Sequence, residues 1–325
     1  MSGLQFADGV RVSGTAIYCD PPRRPRAANP LCFLSSARAL RAGVALHTGR
    51  ARVVATQRTL ALGRAAGGRA IADALPVQLC RPFSLGRLRI ELLPSGHLPG
   101  AAQLLVSRDG APTVLYAGVV AAREGGRLAE PLQARACDAL AVSAPLVALT
   151  DRALPPRAEV EARLRAAVDE ARAAGRPVDV RAARLGAAAE VAALLPEADA
   201  ATPRLRRVLA AYRKLGLLPA RAPAAEGAPP VRLLDDDAPF APDALRLVVG
   251  GEALLPDAAA RAGADLALPL SDEADLPSLV AHVTACDPRD LYVTTALPAP
   301  AVAALAAGGR RVQRLGPPAQ MPLFE

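Results

Sequence analysis

Several short motifs that mark large enzyme classes are missing from this chain. It contains no G-x-x-x-x-G-K-S/T loop, no dinucleotide-binding fingerprint, no H-E-x-x-H and no G-x-S-x-G. These absences argue against P-loop nucleotide hydrolysis, Rossmann-type dinucleotide binding, zincin chemistry and nucleophile-elbow hydrolysis. Histidine is also scarce, with three residues in 325: His47, His97 and His282. Few imidazole ligands are therefore present for a metal centre.

Cysteine and long apolar segments are equally limited. Five cysteines occur, an odd number without a C-x-x-C pair, and they lie in apolar, strand-like segments. We interpret them as reduced packing residues, not as disulfides or zinc ligands. No run approaches the ~20 apolar residues of a membrane span, and residues 1–14 lack the apolar core of a secretion signal. The sequence therefore predicts a cytoplasmic protein without a membrane partner.

The charge balance is basic and is carried almost wholly by arginine. Lys214 is the single lysine among 39 basic residues, and the formal net charge is +8. A basic chain favours anionic partners such as nucleic acid, although the same charge also serves solubility. The arginine bias is typical of a GC-rich genome. The basic segments 22–26 and 204–207 can equally be solvated faces.

Hydrophobic periodicity predicts a β-rich first half, a helical insertion and an α/β return. Strands are predicted over residues 4–12, 14–19, 31–34, 52–55, 87–93, 103–107, 113–117, 139–142, 264–270 and 290–294. Helices are predicted over residues 156–174, 202–215, 256–264, 276–286 and 298–308. Thr202 followed by Pro203 is typical of an N-cap and first helical residue, and 219–230 reads as a connector. This order favours the α/β class.

The segment 90–119 carries the most specific pattern in the chain. Two alternating apolar runs flank a Gly-His-x-x-Gly-Ala turn containing His97, and the second run ends in Tyr-Ala-Gly followed by Val119. This pattern resembles the β-CASP group of metallo-β-lactamase-fold nucleases, especially bacterial DNA-ligase-associated exonucleases and RNA 3′-end processing factors. In that family the turn supplies a metal-binding histidine, and the following strand ends in an aspartate that bridges two metal ions. Val119 stands in the position of that aspartate.

Further matches to this family extend over nearly the whole chain and are weakest between about 150 and 245. They comprise residues 16–21 (AIYCDP), which end in the family's Asp-Pro at Asp20, 52–59 (RVVATQRT), 137–143 (CDALAVS), 269–275 (PLSDEAD), 291–296 (LYVTTA) and the tail 322–324 (PLF).

The residues that would bind metal in this family are mostly replaced. The main zinc-ligand loop, S-H-x-H-x-D-H, corresponds to residues 35–41, where the ligand positions hold Ser36, Arg38, Leu40 and Arg41. Elsewhere Ser143 replaces a glutamate, and Glu273 and Thr295 each replace a histidine. Of the family's ligand positions, His97 alone is unchanged.

The resemblance implies a metallo-β-lactamase αββα sandwich interrupted by a smaller helical, β-CASP-like cap. Residues 1–150 and 256–325 would form the sandwich, and residues 151–255 the cap. Family members hydrolyse phosphodiesters with two zinc ions, and zinc needs about four N, S or O ligands per ion. Arg38 and Arg41 would instead bring two positive charges to the dication's place. We therefore predict no bound zinc, no other cofactor and no catalytic residues at the family's own site.

The surviving polar residues allow two interpretations each. Asp20, Asp272, Glu273 and Asp275 can form an oxygen-rich site for magnesium or manganese, or can cap loops and pair with the two arginines. His97 can be a relic metal ligand or a turn residue hydrogen-bonded to backbone.

Three functional hypotheses follow. The first is a catalytically inactive pseudonuclease that binds DNA or RNA, or scaffolds a DNA-repair or RNA-processing complex. Its candidate nucleic-acid-binding residues are Arg38, Arg41, Arg206 and Arg207. The resemblance implies an active paralogue, a DNA ligase or a helicase as partner. The second is a residual magnesium- or manganese-dependent exonuclease or phosphodiesterase with a site around His97, Asp272 and Glu273. The third is a protein-interaction module with no nucleic-acid role.

Overall fold

Parallel and mixed β-sheets alternate with helices along the chain, which confirms the predicted α/β class. The computed structural model describes residues 3–42, 51–67, 71–121, 128–183, 185–235 and 238–317, with the backbone alone at 41 and 42. Its α-helices are α1 (Ala37–Ala42), α2 (Gln57–Ala65), α3 (Pro145–Leu149), α4 (Arg157–Ala173), α5 (Ala187–Leu194), α6 (Pro203–Lys214), α7 (Ala258–Ala262), α8 (Leu276–Cys286) and α9 (Ala299–Ala306). Within the described residues, no helix combines the length and apolarity needed to cross a bilayer.

The first sheet is formed by the N-terminal strands. In spatial order these are β1 (Leu4–Phe6), β2 (Val10–Val12), β3 (Ile17–Cys19), β4 (Leu31–Phe33), β5 (Arg52–Ala55) and β6 (Ala74–Pro76). The strands β1 to β3 pair antiparallel, and β3 to β6 pair parallel. Residues 4–12, predicted as one strand, form a hairpin because Asp8 and Gly9 adopt positive φ angles of 55° and 127°.

The second sheet combines strands from both halves of the chain. Its order is β18 (Arg311–Arg314), β17 (Asp290–Val293), β11 (Ala139–Ser143), β10 (Val114–Val119), β9 (Ala102–Ser107), β8 (Leu88–Pro94) and β7 (Phe83–Leu85). The strands β7 to β10 are antiparallel, whereas β10, β11, β17 and β18 are parallel.

These two sheets pack face to face around one core. Side chains alternate between the faces of a strand, and the inward ones from both sheets share a buried cluster that includes Phe33, Val54, Leu92, Leu104 and Tyr116. The Phe33 and Tyr116 rings meet edge to face across the core, with centroids 6.2 Å apart. Helices cover both outer faces: Leu40 of α1 packs on the first sheet, and Leu279 of α8 packs on the second.

A third, parallel sheet occupies the segment that was expected to be mainly helical. Its order is β13 (Asp199–Ala200), β14 (Val231–Leu234), β12 (Val178–Ala182), β15 (Leu245–Val249) and β16 (Leu266–Leu268). Pairing of β16 with β15 carries this sheet through Leu268, past residue 255 where the sequence placed the end of the cap. The N-cap predicted for α6 is confirmed, since Thr202 Oγ1 accepts a hydrogen bond from Leu205 N at 3.2 Å.

Candidate functional site

The positions aligned with metal ligands gather at one edge of the two-sheet sandwich. Parallel strands present their carboxyl ends at the same edge of a sheet. The strands β3 and β4 of the first sheet, and β8, β10, β11 and β17 of the second, end here. The residues at or just beyond these ends are Asp20, Ser36, Arg38, His97, Val119, Ser143 and Thr295. Asp272 and Glu273 enter from the loop between β16 and α8.

Asp20 joins the two sheets through hydrogen bonds it accepts at the end of β3. Its Oδ1 accepts from Ser35 N at 2.7 Å, and its Oδ2 accepts from Ser35 Oγ at 2.5 Å and from Tyr116 OH at 2.9 Å. Burial raises the pKa of the Asp20 carboxyl, although these bonds oppose the rise. Gly118 allows this close approach, because a Cβ there would lie 2.7 Å from Ser35 Oγ.

Arg38 is held by two carboxylates of the loop that follows β16. Its Nη1 donates to Oε1 of Glu273 at 2.7 Å, and its Nη2 donates to the two carboxylate oxygens of Asp272 at 2.8 and 3.0 Å. The exposed fractions of these side chains are 34% for Arg38, 14% for Asp272 and 17% for Glu273. We call these three residues the Arg38 clamp. For Asp272 and Glu273, the structure therefore shows pairing with an arginine, which is one of the two interpretations that the sequence allows.

The clamp perturbs the titration of its own members. Burial raises the pKa of Glu273 and nearby Asp272 adds to that rise, whereas Arg38 opposes it. Burial lowers the pKa of Arg38, but the two carboxylates outweigh it and the net pKa is raised. Arg38 therefore stays charged. A backbone phosphate, the ligand that the sequence suggested for Arg38, would compete with these two carboxylates for its charge.

His97 lies buried behind the clamp, with 2% of its surface exposed. Its Nδ1 lies 2.6 Å from the carbonyl oxygen of Asp272, and since a carbonyl only accepts, Nδ1 is the donor. Burial lowers the pKa of His97 to about 4, so the ring is neutral at pH 7. Its Nε2 is buried and has no hydrogen-bond partner among the residues that the structure describes. His97 thus fits the interpretation of a turn residue bonded to backbone.

The remaining aligned positions are filled by groups that contact one another or the core. Ser143 Oγ and Thr295 Oγ1 lie 3.0 Å apart, and Thr295 Oγ1 also accepts from Ala144 N at 3.2 Å. Val119 pairs with Ser143 in the β10–β11 ladder and presents an aliphatic side chain. None of these three supplies a carboxylate or imidazole.

Two positions of the ligand loop, one in α1 and one just before it, hold residues that are buried in the fold. Leu40 is fully buried and presses against α2, where a Cβ on Gly63 would lie 2.5 Å from its Cδ2. Ser36 is buried, and its carbonyl oxygen accepts from Ala39 N at 3.1 Å. The Arg41 side chain, His47 and the tail 322–324 fall outside the described residues.

Asp275 caps the helix that follows the clamp. Its Oδ1 accepts from Ser278 N at 3.0 Å at the start of α8, and its Oδ2 accepts from Leu154 N at 2.8 Å. This capping role is one of the two that the sequence allowed for Asp275.

A cavity of about 780 Å³ opens beside the clamp, between the sandwich and the third sheet. Its walls include Arg38 and Asp272 on one side, and Arg181 and Val249 at the carboxyl ends of β12 and β15 on the other. Sequence reasoning missed Arg181. The available signal was the alternating run Val-Asp-Val-Arg-Ala at 178–182, which is typical of a strand.

The basic residues of α6 lie elsewhere. Arg206 uses its Nε to bond the carbonyl oxygen of Ala200 at 2.9 Å, and Arg207 is exposed. The opposite face of α6, with Leu205 and Tyr212, is buried in the cluster shared with α2. Neither arginine belongs to the described lining of the cavity, so the structure does not bring them together with Arg38.

A zinc pair does not fit the donors at this edge. Among the described residues, no three His, Cys, Asp or Glu side chains are grouped to hold a metal ion. Asp272 and Glu273 already face a guanidinium, which would repel a dication. Asp20 already accepts hydrogen bonds from Ser35 and Tyr116.

Comparisons with known proteins bear on the fold alone. No protein-family model matches the chain, and no curated protein matches it. A crystal structure of a protein of unknown function from Enterococcus faecalis V583 is similar with a TM-score of 0.56 and 11% identity, over 87% of this chain and 77% of that one. At that identity the likeness is one of architecture.

Proposed function

We propose that this chain is a pseudonuclease: a metallo-β-lactamase-like sandwich with a β-CASP-like cap that binds nucleic acid without cutting it. The two facing sheets would correspond to the sandwich and the third sheet to the cap. The observation that carries the loss of catalysis is the Arg38 clamp. The guanidinium of Arg38 binds the carboxylates of both Asp272 and Glu273. A dication that generates hydroxide would therefore find neither free ligands nor a favourable electrostatic potential there.

Binding of nucleic acid is supported by the net charge of +8 and by the exposed arginines of α6. With Arg38 paired, Arg207 is the better candidate for a phosphate contact, because it is exposed and its side chain has no hydrogen bond or ion pair among the described residues. By the family resemblance, an active paralogue, a DNA ligase or a helicase is the proposed partner.

Fluorescence anisotropy with single-stranded DNA and RNA oligonucleotides, measured over a salt series, tests the binding. We expect affinity at low salt that falls as salt rises, with Arg207→Ala reducing the slope of log K against log salt by about 0.7. Arg87→Ala is the matched control, because it removes an equal, exposed charge from the turn between β7 and β8.

The same samples separate the alternatives. Oligonucleotide cleavage in magnesium or manganese that a chelator abolishes would contradict the proposal and favour a residual hydrolase around His97, Asp272 and Glu273. No affinity even at low salt would favour a protein-interaction module. Equal losses in Arg207→Ala and Arg87→Ala would show a diffuse charge effect in place of a site on α6.

A further inference from the structure

We propose that the cavity beside the clamp binds a small organic anion with a phosphate or carboxylate group at one end and amino or hydroxyl donors at the other. The inference rests on the cavity and on Arg181. It does not depend on nucleic-acid binding, which we assign to a different surface.

The cavity has the size and position of a ligand site. Its volume of about 780 Å³ falls within the ~300–1,000 Å³ of small-molecule pockets. It opens at the carboxyl ends of β12 and β15, which are neighbours in the third sheet. From β12 the chain moves outward to β13 and β14, then returns to β15 on the other side. Open parallel sheets bind ligands where their strand order reverses in this way.

Arg181 supplies a fixed positive charge in this cavity. Its Nη1 donates to Ala262 O at 3.1 Å, its Nη2 donates to Ala238 O at 2.9 Å, and its guanidinium carbon lies 3.8 Å from the centroid of the Phe240 ring. These neutral contacts orient the group without cancelling its charge. Among the described residues no carboxylate forms an ion pair with Arg181, and the acidic residue of the described cavity lining outside the clamp is Glu252, in the turn after β15.

Donors on Arg181 remain for a ligand. A guanidinium carries five N–H groups, and the two carbonyl bonds use one on each terminal nitrogen. Nε is buried and has no hydrogen-bond partner within the described part of the chain. The further N–H on each terminal nitrogen can address an anionic oxygen, and an arginine held rigidly is well suited to a phosphate or carboxylate.

The opposite wall has the reverse polarity. There the carboxyl groups of Asp272 and Glu273 share the single guanidinium of Arg38, so acceptors outnumber the cation they surround. Such a wall favours amino or hydroxyl donors. A continuous polyanion would meet this acidic end unfavourably, whereas a small molecule with one anionic end matches both walls.

The cavity wall is also shaped by glycine. A Cβ on Gly251 would lie 2.9 Å from Ser271 Oγ, so glycine lets the loop after β15 close against the loop that carries the clamp. Ala253, in the 3-10 turn Gly251–Leu254, is half-buried and also lines the cavity. Ala253 makes none of the contacts of Arg181 described above, so a larger side chain there is expected to reduce the cavity while leaving those contacts in place.

Thermal unfolding of the full chain with AMP, ribose 5-phosphate or inorganic phosphate tests the proposal. We expect AMP or ribose 5-phosphate at millimolar concentration to raise Tm by at least about 2 °C. Arg181→Met should abolish this shift. Arg176→Met, which removes an equal charge just before β12 at the opposite edge of the same sheet, should keep it.

Ala253→Phe provides a second route if Arg181→Met folds poorly, and it too should lose the shift. No stabilisation of the wild-type protein by any of the three probes would overturn the proposal. So would a shift that persists in both cavity variants. An equal shift with inorganic phosphate would show a simple ion site and reject the two-ended ligand. None of these outcomes depends on the oligonucleotide measurements.

Discussion

Most of the polar side chains at this edge of the sandwich are hydrogen-bonded or ion-paired to one another. Asp20 has its oxygens bonded by Ser35 and Tyr116, and Ser143 meets Thr295. Arg38 brings a positive charge to two carboxylates. Buried polar groups without partners are costly, so residues that bond to one another stabilise this edge. His97 Nε2 is the exception.

Arg38→Met should destabilise the fold by about 1–3 kcal/mol at pH 7, because it leaves two shielded carboxylates without their donor. Urea denaturation measures this. Arg246→Met is the control: Arg246 and its partner Asp265 are each about one-third exposed or more, so solvent screens the pair and its loss should destabilise the fold less than Arg38→Met does.

The destabilisation by Arg38→Met should shrink as pH falls towards 4. Glu273 already has a raised pKa in the folded state, and losing Arg38 raises it further. A carboxyl with a raised folded pKa contributes stability at low pH that is lost as pH rises through that pKa. Equal destabilisation at pH 4 and pH 7 would argue that packing, not charge pairing, is the role of Arg38.

His97 should remain neutral, with the proton on Nδ1, from pH 5.5 to pH 8. Its lowered pKa, about 4, means that the unfolded chain takes up the proton first. The histidine's contribution to stability is therefore present above the unfolded pKa of ~6.5 and is lost as pH falls towards 4. Long-range nitrogen-15 correlation spectra report both proton position and titration. A midpoint near 6.5 would contradict the buried bond to Asp272.

Between secondary-structure elements, the clamp is tied to the third sheet by the turn between β12 and α5. Gly186 immediately precedes α5 and has a φ of 89°. A Cβ there would lie 1.9 Å from Oδ2 of Asp272. The close contact sets the Asp272 carboxylate against the start of α5, so the clamp depends on how this helix begins as well as on its own three side chains.

Gly186→Ala should therefore destabilise the fold more than a glycine replacement that adds strain alone. Gly175, which follows α4, is the matched control, with a φ of 71° and nothing within 4 Å of the added Cβ. Gly175→Ala should cost about 1 kcal/mol from the left-handed backbone. Gly186→Ala should cost about 1–3 kcal/mol more, from displacing Asp272 and from a backbone at φ 89° and ψ −99° that strains any Cβ. Equal effects in urea denaturation would show that Asp272 moves aside freely.

For the molecule as a whole, sequence predicts what is encoded locally. Thr202 and Pro203 predict the start of α6, because an N-cap depends only on a few residues that are adjacent in the sequence. The third sheet is harder to predict from the sequence. Asp179 is fully buried in β12. In the sequence, a charged residue argues against a buried strand unless its ion-pair partner is known. Arg232 on β14, which donates to Asp179 at 2.6 and 2.7 Å, is 53 residues away.

The site shows the same division between local and distant information. Complementary charges at Arg38 and at Asp272–Glu273 made their pairing one of two foreseeable outcomes. Choosing between the two outcomes required knowing that residues more than 230 positions apart in the sequence lie within hydrogen-bonding distance. The cavity and Arg181 could not be foreseen, since their surroundings come from the ends of strands whose order the sequence leaves open.

The Arg38 clamp builds its positive charge into the chain itself. A side-chain cation is synthesised with the chain and cannot be chelated, exchanged or lost during metal starvation. Under the proposed function, folding of this edge would then need no delivered ion, and the protein should keep its structure in environments where zinc is withheld. The same exchange would leave no open coordination position for water, which a guanidinium does not provide.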